Sequence, residues 1–238
     1  MKLGVMQPYF IPYLGHFSLI NAVDKWVVFD LSQHKPKSWM TRNIILHPKA
    51  GSTYSSVTLI NNSTSIPVKD AVIKNVFNVK STLLGKLSAY KRMNAPYFIN
   101  VMHIVDNAFN KLSTDKLVDL NVAFIIAVCD YLSIDFDYCF SSNLNINYNE
   151  IKEPGDWALE ISKSVGARTY INPISGEHLF DKEKYRASGV EINFLKYTSF
   201  IYDQSGRDFI GNLSILDVLM WNDKNTVTNY LNESFLIS

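Results

Sequence analysis

Apolar and polar positions follow three textures along this chain. Lys2–Met6 is a short apolar run that predicts a buried strand, and Gly15–Val23, with Phe17, Leu19, Ile20 and Val23 apolar, predicts a helix. Lys25–Phe29 (KWVVF) is β-branched and aromatic, predicting a second strand that ends on Asp30. Strand, turn, helix, strand is the start of a βαβ unit, which implies parallel strands. Arg42–Leu46 and Ser55–Ile60 predict a third and a fourth strand. A turn at Asn61–Ser65 follows, and extended chain resumes at Ile66–Val68.

From Ser81 the period becomes helical. Ser81–Met93 places Leu83, Leu84, Leu87 and Tyr90 on one face, and Pro96–Asn110 and Thr114–Leu132 follow as helices, with Thr114 as N-cap. The last third alternates again: a helix at Asp156–Val165 closed by Gly166, a strand at Arg168–Ile171, a helix at Asp181–Ala187, a strand at Val190–Leu195, and helices at Leu213–Asn222 and Thr226–Leu231. Ser214 or Asn212 is expected to cap the Leu213 helix, with Asp217 completing a capping-box-like pair. The expected class is α/β: a largely parallel, Rossmann-like sheet with an inserted or appended helical block. Residues 1–80 form an N-terminal α/β part with the site loops, 81–135 the helical block, and 136–238 a C-terminal α/β part completing a single compact unit.

Composition narrows the function classes. At 47% hydrophobic and 19% charged, the 238 residues can bury a sizeable core. Lys+Arg 23 against Asp+Glu 22 leaves a net charge of +1, which argues against a general nucleic-acid or membrane-surface footprint. The longest apolar run, Val122–Cys129, is too short to span a bilayer, and the N-terminus lacks a signal-peptide pattern, so a cytoplasmic setting is expected. Two cysteines, Cys129 and Cys139, make no disulfide framework, and no metal-ligand spacing occurs among the histidines. Oligomeric state is left open. No GxSxG elbow, Walker A loop, HExxH or paired CxxC is present.

Candidate chemistry gathers where open α/β sheets bind ligands, outside the carboxyl ends of the strands. The turn after the first strand carries Gln7, Tyr9, Tyr13, Gly15 and His16. The loop after the second strand packs Asp30, Gln33, His34, Lys37, Trp39, Arg42 and Asn43 into a short stretch. Asp30 and His16 are candidate proton acceptors for an amine or hydroxyl nucleophile. Lys37 and Arg42 suit a phosphate or carboxylate clamp, and Trp39 and the tyrosines suit a sugar or base face. Tyr202 and Gln204 are further ligand candidates near the C-terminus.

Tyr13-Leu14-Gly15-His16 is loosely similar to the HxGH turn of nucleotidylyl transferases and pantothenate synthetases, with Tyr13 in place of the first histidine and no KMSKS-like lysine downstream. A broader resemblance spans nearly the whole chain. Met6–Gly15 (MQPYFIPYLG), Val23–Asp30 (VDKWVVFD) and Trp39–Asn43 (WMTRN) resemble the WbqC-like proteins. So, in the same order, do Gly166–Tyr170, Tyr202-Asp203-Gln204 and Leu213–Leu219. That resemblance implies a transferase in O-antigen or other surface-polysaccharide (lipopolysaccharide) biosynthesis. It would acylate, with an acyl or aminoacyl group such as acetyl or glycyl, an amino group of a nucleotide-linked sugar. The cofactor stays unknown, the donor candidates being acyl-CoA or an ATP-activated acid. The alternatives are an HxGH-like ATP-dependent nucleotidylyl or adenylate-forming enzyme and a non-catalytic nucleotide-sugar binding module. Two stretches depart from the family pattern. His16 stands where an aromatic such as Tyr is common, and His34–Ser38 replaces a Tyr-Ile-Lys-Arg-Gly-like run.

Overall fold

A computed structural model describes residues 1–233 and the backbone of a strand at 235–237. A six-stranded sheet is built on β1 (Lys2–Met6), β2 (Lys25–Val28), β5 (Tyr138–Phe140), β6 (Thr169–Pro173), β7 (Glu191–Lys196) and β8 (Phe235–Ile237). Its order is β5-β2-β1-β6-β7-β8. The first five strands are mutually parallel, and β8 runs antiparallel along the β7 edge. The α/β, Rossmann-like expectation is met.

The order has a physical consequence. From β1 the chain steps to β2 and then β5 on one side, and later returns to β6 and β7 on the other. Loops leaving β1 and β6 therefore diverge and open a crevice at the carboxyl ends of these two central strands. Alternation along the strands separates two cores. Leu3, Val5, Val27, Tyr170, Ile192 and Phe194 face α5 (Asp156–Ser164) and α6 (Lys182–Ala187). Trp26, Val28, Ile171 and Leu195 face α1 (Leu14–Asn21) and the helices α2 (Val76–Arg92), α3 (Phe98–Asn110), α4 (Leu117–Leu132), α7 (Ile215–Trp221) and α8 (Lys224–Asn232). Gly4 lets Trp26 cross the centre of the sheet: a Cβ there would lie 2.8 Å from the indole. Among the described residues, no helix is long and apolar enough to cross a membrane.

Several expected boundaries move, each for a local reason. β3 (Arg42–Leu46) forms as expected, but it pairs antiparallel with β4 in a separate two-stranded sheet. β4 is Ser52–Ser56, earlier than the Ser55–Ile60 expected, because the register is set by the turn: His47 N donates to Gly51 O at 2.9 Å, and Gly51 has a φ of +69°. Of the extended chain expected at Ile66–Val68, Pro67 makes a single bridge to Gln33, and Val68 already begins a 3₁₀ turn, Val68–Asp70. α2 begins at Val76, five residues ahead of Ser81, because the Asn75 side chain accepts the Asn78 amide at 2.9 Å and caps it. Thr114 is not the cap of α4. It sits outside the helix and bonds Asp119 and the Lys116 amide. Ser214 caps α7, but Asp217 completes no capping box, since its carboxylate turns inward to Tyr90 and Tyr202.

Candidate functional site

The cleft at the β1/β6 divergence has a volume of about 620 Å³. Met6, Pro173 and Leu195, at the carboxyl ends of β1, β6 and β7, form its floor, with Ile44, Ile174 and Ser175 beside them. Tyr9, Tyr13, Trp39 and Tyr197 supply aromatic walls, and Asn43, Gly211 and Asn212 complete the lining. None of these residues carries a formal charge. The lining is mixed apolar and uncharged-polar, the composition of a small-molecule site.

The β1–α1 loop, Gln7–Tyr13, is held open without a glycine. Asn121, fully buried on α4, donates to Pro8 O at 2.8 Å and Met40 O at 2.9 Å. Asn43 donates to Phe10 O at 3.1 Å and Ile11 O at 3.0 Å, and Phe10 N donates to Trp39 O at 2.9 Å. These bonds stabilise Ile11 at a φ of +37°, a strained conformation for a β-branched residue that persists only where its surroundings dictate it. Gly15 has a related reason. A Cβ there would lie 2.4 Å from the Tyr13 ring and 3.0 Å from the Tyr197 ring, so only glycine lets those rings meet edge-to-face at 5.7 Å.

Tyr9 and Tyr13 hydroxyls have no hydrogen-bond partner among the described residues. Burial holds both phenols above the usual tyrosine range, and for Tyr13 the neighbouring Tyr9 adds to it. Both stay neutral, so each keeps an O–H to donate.

The expected site residues separate into two groups. Tyr9, Tyr13, Trp39 and Asn43 line the cleft; Gln7, His16, Asp30, Gln33, His34, Lys37, Arg42, Tyr202 and Gln204 do not. The single pocket expected to unite Gln7, Tyr9, Tyr13 and His16 with Asp30 and Arg42 is therefore not what the chain builds. Asp30 is buried, and its carboxylate accepts from Ser141 Oγ (2.7 Å), Ser142 N (2.9 Å) and Ser142 Oγ (2.6 Å), fastening the turn after β5. His16 is buried among Tyr9, Phe17 and Trp26, with ring centroids 5.1–6.3 Å away and both nitrogens unpaired. Burial lowers its pKa to about 3, so it is a neutral ring beneath Tyr9.

His34 bonds Asn62 Oδ1 at 2.8 Å, and Gln33 bridges to Pro67. Arg42 lies 4.1 Å over the Tyr54 ring across the β3–β4 hairpin, and Lys37 is exposed on a turn with φ +58°. Tyr202 donates to Asp217, and Gln204 closes its own loop through both Ile210 backbone groups, so their polar ends point away from the cleft. Among the described residues, no group of His, Cys, Asp and Glu is arranged to hold a metal ion.

Pro173–Ser175 and Leu195–Tyr197 were findable in the sequence: they follow expected strands, the rule that picks out the first turn. Asn121 carried no such signal, because a lone polar residue in an apolar helix run reads as surface, and Asp217 carried only the local signal of a capping box.

Comparison with known proteins adds the relationships of the chain. A family model described as the WbqC-like protein family matches residues 7–229. The uncharacterized protein Rv1507c of Mycobacterium tuberculosis is 19% identical over 219 residues, covering 92% of this chain and 92% of that protein. No solved structure matches the chain.

Proposed function

The chain belongs to the WbqC-like protein family, and from that premise we propose that it is a transferase acylating an amino group of a nucleotide-linked sugar for surface-polysaccharide synthesis. The observation that carries the reading is the cleft at the β1/β6 divergence: uncharged, walled by Tyr9, Tyr13, Trp39 and Tyr197, with the Tyr9 and Tyr13 hydroxyls unpaired among the described residues. A sugar ring matches such walls. Its C–H faces pack on aromatic rings while its hydroxyls meet phenols and amides. A diphosphate does not match the lining, so this reading leaves the nucleotide end outside the floor, with only the sugar inside.

In the proposed reaction the amine lone pair attacks the acyl carbonyl of a coenzyme A thioester or an acyl adenylate. The N–C bond forms, the C–S or C–O bond breaks, and the amine proton leaves with the departing group or solvent. Neutral phenols at Tyr9 and Tyr13 supply hydrogen bonds to the developing oxyanion, which is where fixed donors act most strongly. Neither Asp30 nor His16 has a part in this scheme, and the HxGH-like alternative loses the histidine it relied on. The uncharged lining also favours a second reading, a nucleotide-sugar binding module without chemistry. The folded protein, incubated with a dTDP-linked 4-amino sugar and a panel of acyl-CoA donors or acids plus ATP, is expected to yield an amide, detected by mass spectrometry. Sugar binding with no product from any donor would leave the binding-module reading standing and remove the transferase.

A further inference from the structure

Asp217, in the first turn of α7, is fully buried, and its carboxylate meets hydroxyls instead of a cation. Tyr90 Oη, on α2, donates to Oδ1, and Tyr202 Oη donates to Oδ2 at 2.5 Å. Tyr90 Oη in turn accepts the Leu46 amide of β3 at 2.9 Å. One carboxylate thus joins α2, β3, α7 and the segment that links β7 to α7.

That linking segment, 197–213, has no regular structure for most of its length and delivers Tyr197, Gly211 and Asn212 to the cleft. Irregular loops this long in a compact fold usually have a function. It is fastened at three places. Tyr230 Oη donates to Thr198 O, and the Tyr230 ring packs on Phe200 at 4.6 Å. Arg207 donates to His47 O at 2.7 Å and Pro48 O at 2.6 Å. Between these surface attachments lies the buried one, Tyr202 to Asp217. A carboxylate in an apolar interior is costly, and a well-packed aliphatic residue there would avoid that cost. What the carboxylate holds together accounts for its place there.

We infer that Asp217 is a positioning residue for the cleft: through Tyr202 it holds segment 197–212 so that Tyr197 and Asn212 face Tyr13 and Trp39. It lines no part of the cleft itself; it acts on the site through Tyr202 and its segment, with Tyr90 and the Leu46 amide as a second tie to β3, the strand that carries Asn43 and Ile44. The inference rests on the sugar-site reading for its binding consequence alone. The hold on the segment is measurable without any ligand.

Tyr202→Phe deletes one hydroxyl and leaves the ring packed on Phe200 and Phe209. By hydrogen-exchange mass spectrometry on the full chain, amides of 198–212 are expected to exchange about tenfold faster, while β1, α4 and α7 keep their wild-type rates. Asp217→Asn, whose carboxamide oxygen still accepts from Tyr202, is expected to keep the segment near wild-type exchange. Unchanged exchange in Tyr202→Phe, or a rise spread evenly over the molecule, overturns the inference. A dTDP-linked 4-amino sugar is expected to bind Tyr202→Phe about tenfold more weakly than wild type, the same hydroxyl being lost. Equal binding by both proteins overturns the inference while sparing the sugar-site reading. No binding by wild type removes that reading and leaves the inference to the exchange result.

Discussion

His16→Phe is expected to resist acid better than the wild-type protein. The folded state holds the His16 imidazole neutral, at a pKa of about 3, against an ordinary histidine value near 6.5 in the unfolded chain. A group whose folded pKa is depressed contributes stability above its unfolded pKa and loses it as pH falls through the folded one. The window is therefore about pH 6.5 down to about pH 3, and across it the loss is on the order of 5 kcal/mol, comparable to a whole small domain's stability. Phenylalanine fills the same aromatic cage of Tyr9, Phe17 and Trp26 and has no proton to take up. In urea unfolding, its advantage over wild type should grow by about 3 kcal/mol between pH 7 and pH 4.5. An advantage that stays constant with pH would mean that His16 is solvated or paired.

Asp217→Asn should change the profile in the opposite sense. Burial raises the Asp217 carboxyl to about 6, and the Tyr202 and Tyr90 hydroxyls only partly offset that. A folded pKa raised above the unfolded value contributes stability that is complete below about pH 4 and is lost as pH rises through about 6. Wild type should therefore gain about 2 kcal/mol relative to Asp217→Asn on acidification from pH 7 to pH 4.5. The same urea series measures it. No change in the difference between the two proteins over that range would contradict a buried, cation-free carboxyl.

Both groups illustrate what was legible in the sequence. The opening βαβ unit was legible because KLGVM and KWVVF are short, β-rich runs flanking a helical one, and the helix-strand rhythm of the last third extended it into a parallel sheet. Strand order was not legible, and it is strand order that puts Met6, Pro173 and Leu195 on one floor. Polar residues near the first two strand ends looked like one site because they are close in sequence. In the fold the 30–43 loop spends most of them on fastening: Asp30 on Ser141 and Ser142, His34 on Asn62, Arg42 over Tyr54. Its aromatic Trp39 reaches the cleft instead. His16 looked catalytic as a histidine at a helix start, and only the packing of Tyr9, Phe17 and Trp26 reveals it as core. Asp217 looked like a helix cap because capping is local, whereas its real partners, Tyr90 and Tyr202, come from distant segments.

If the aromatic cleft is the sugar site, its walls must carry the binding. A dTDP-linked 4-amino sugar is titrated calorimetrically into the wild-type protein and into Trp39→Ala and Tyr13→Ala, each checked for native unfolding behaviour. Saturable binding by wild type is expected, weakened about tenfold or more by each substitution, since an aromatic face or a paired hydroxyl contributes on the order of 1–2 kcal/mol. Absence of binding to folded wild type, or equal affinity in all three proteins, would contradict it.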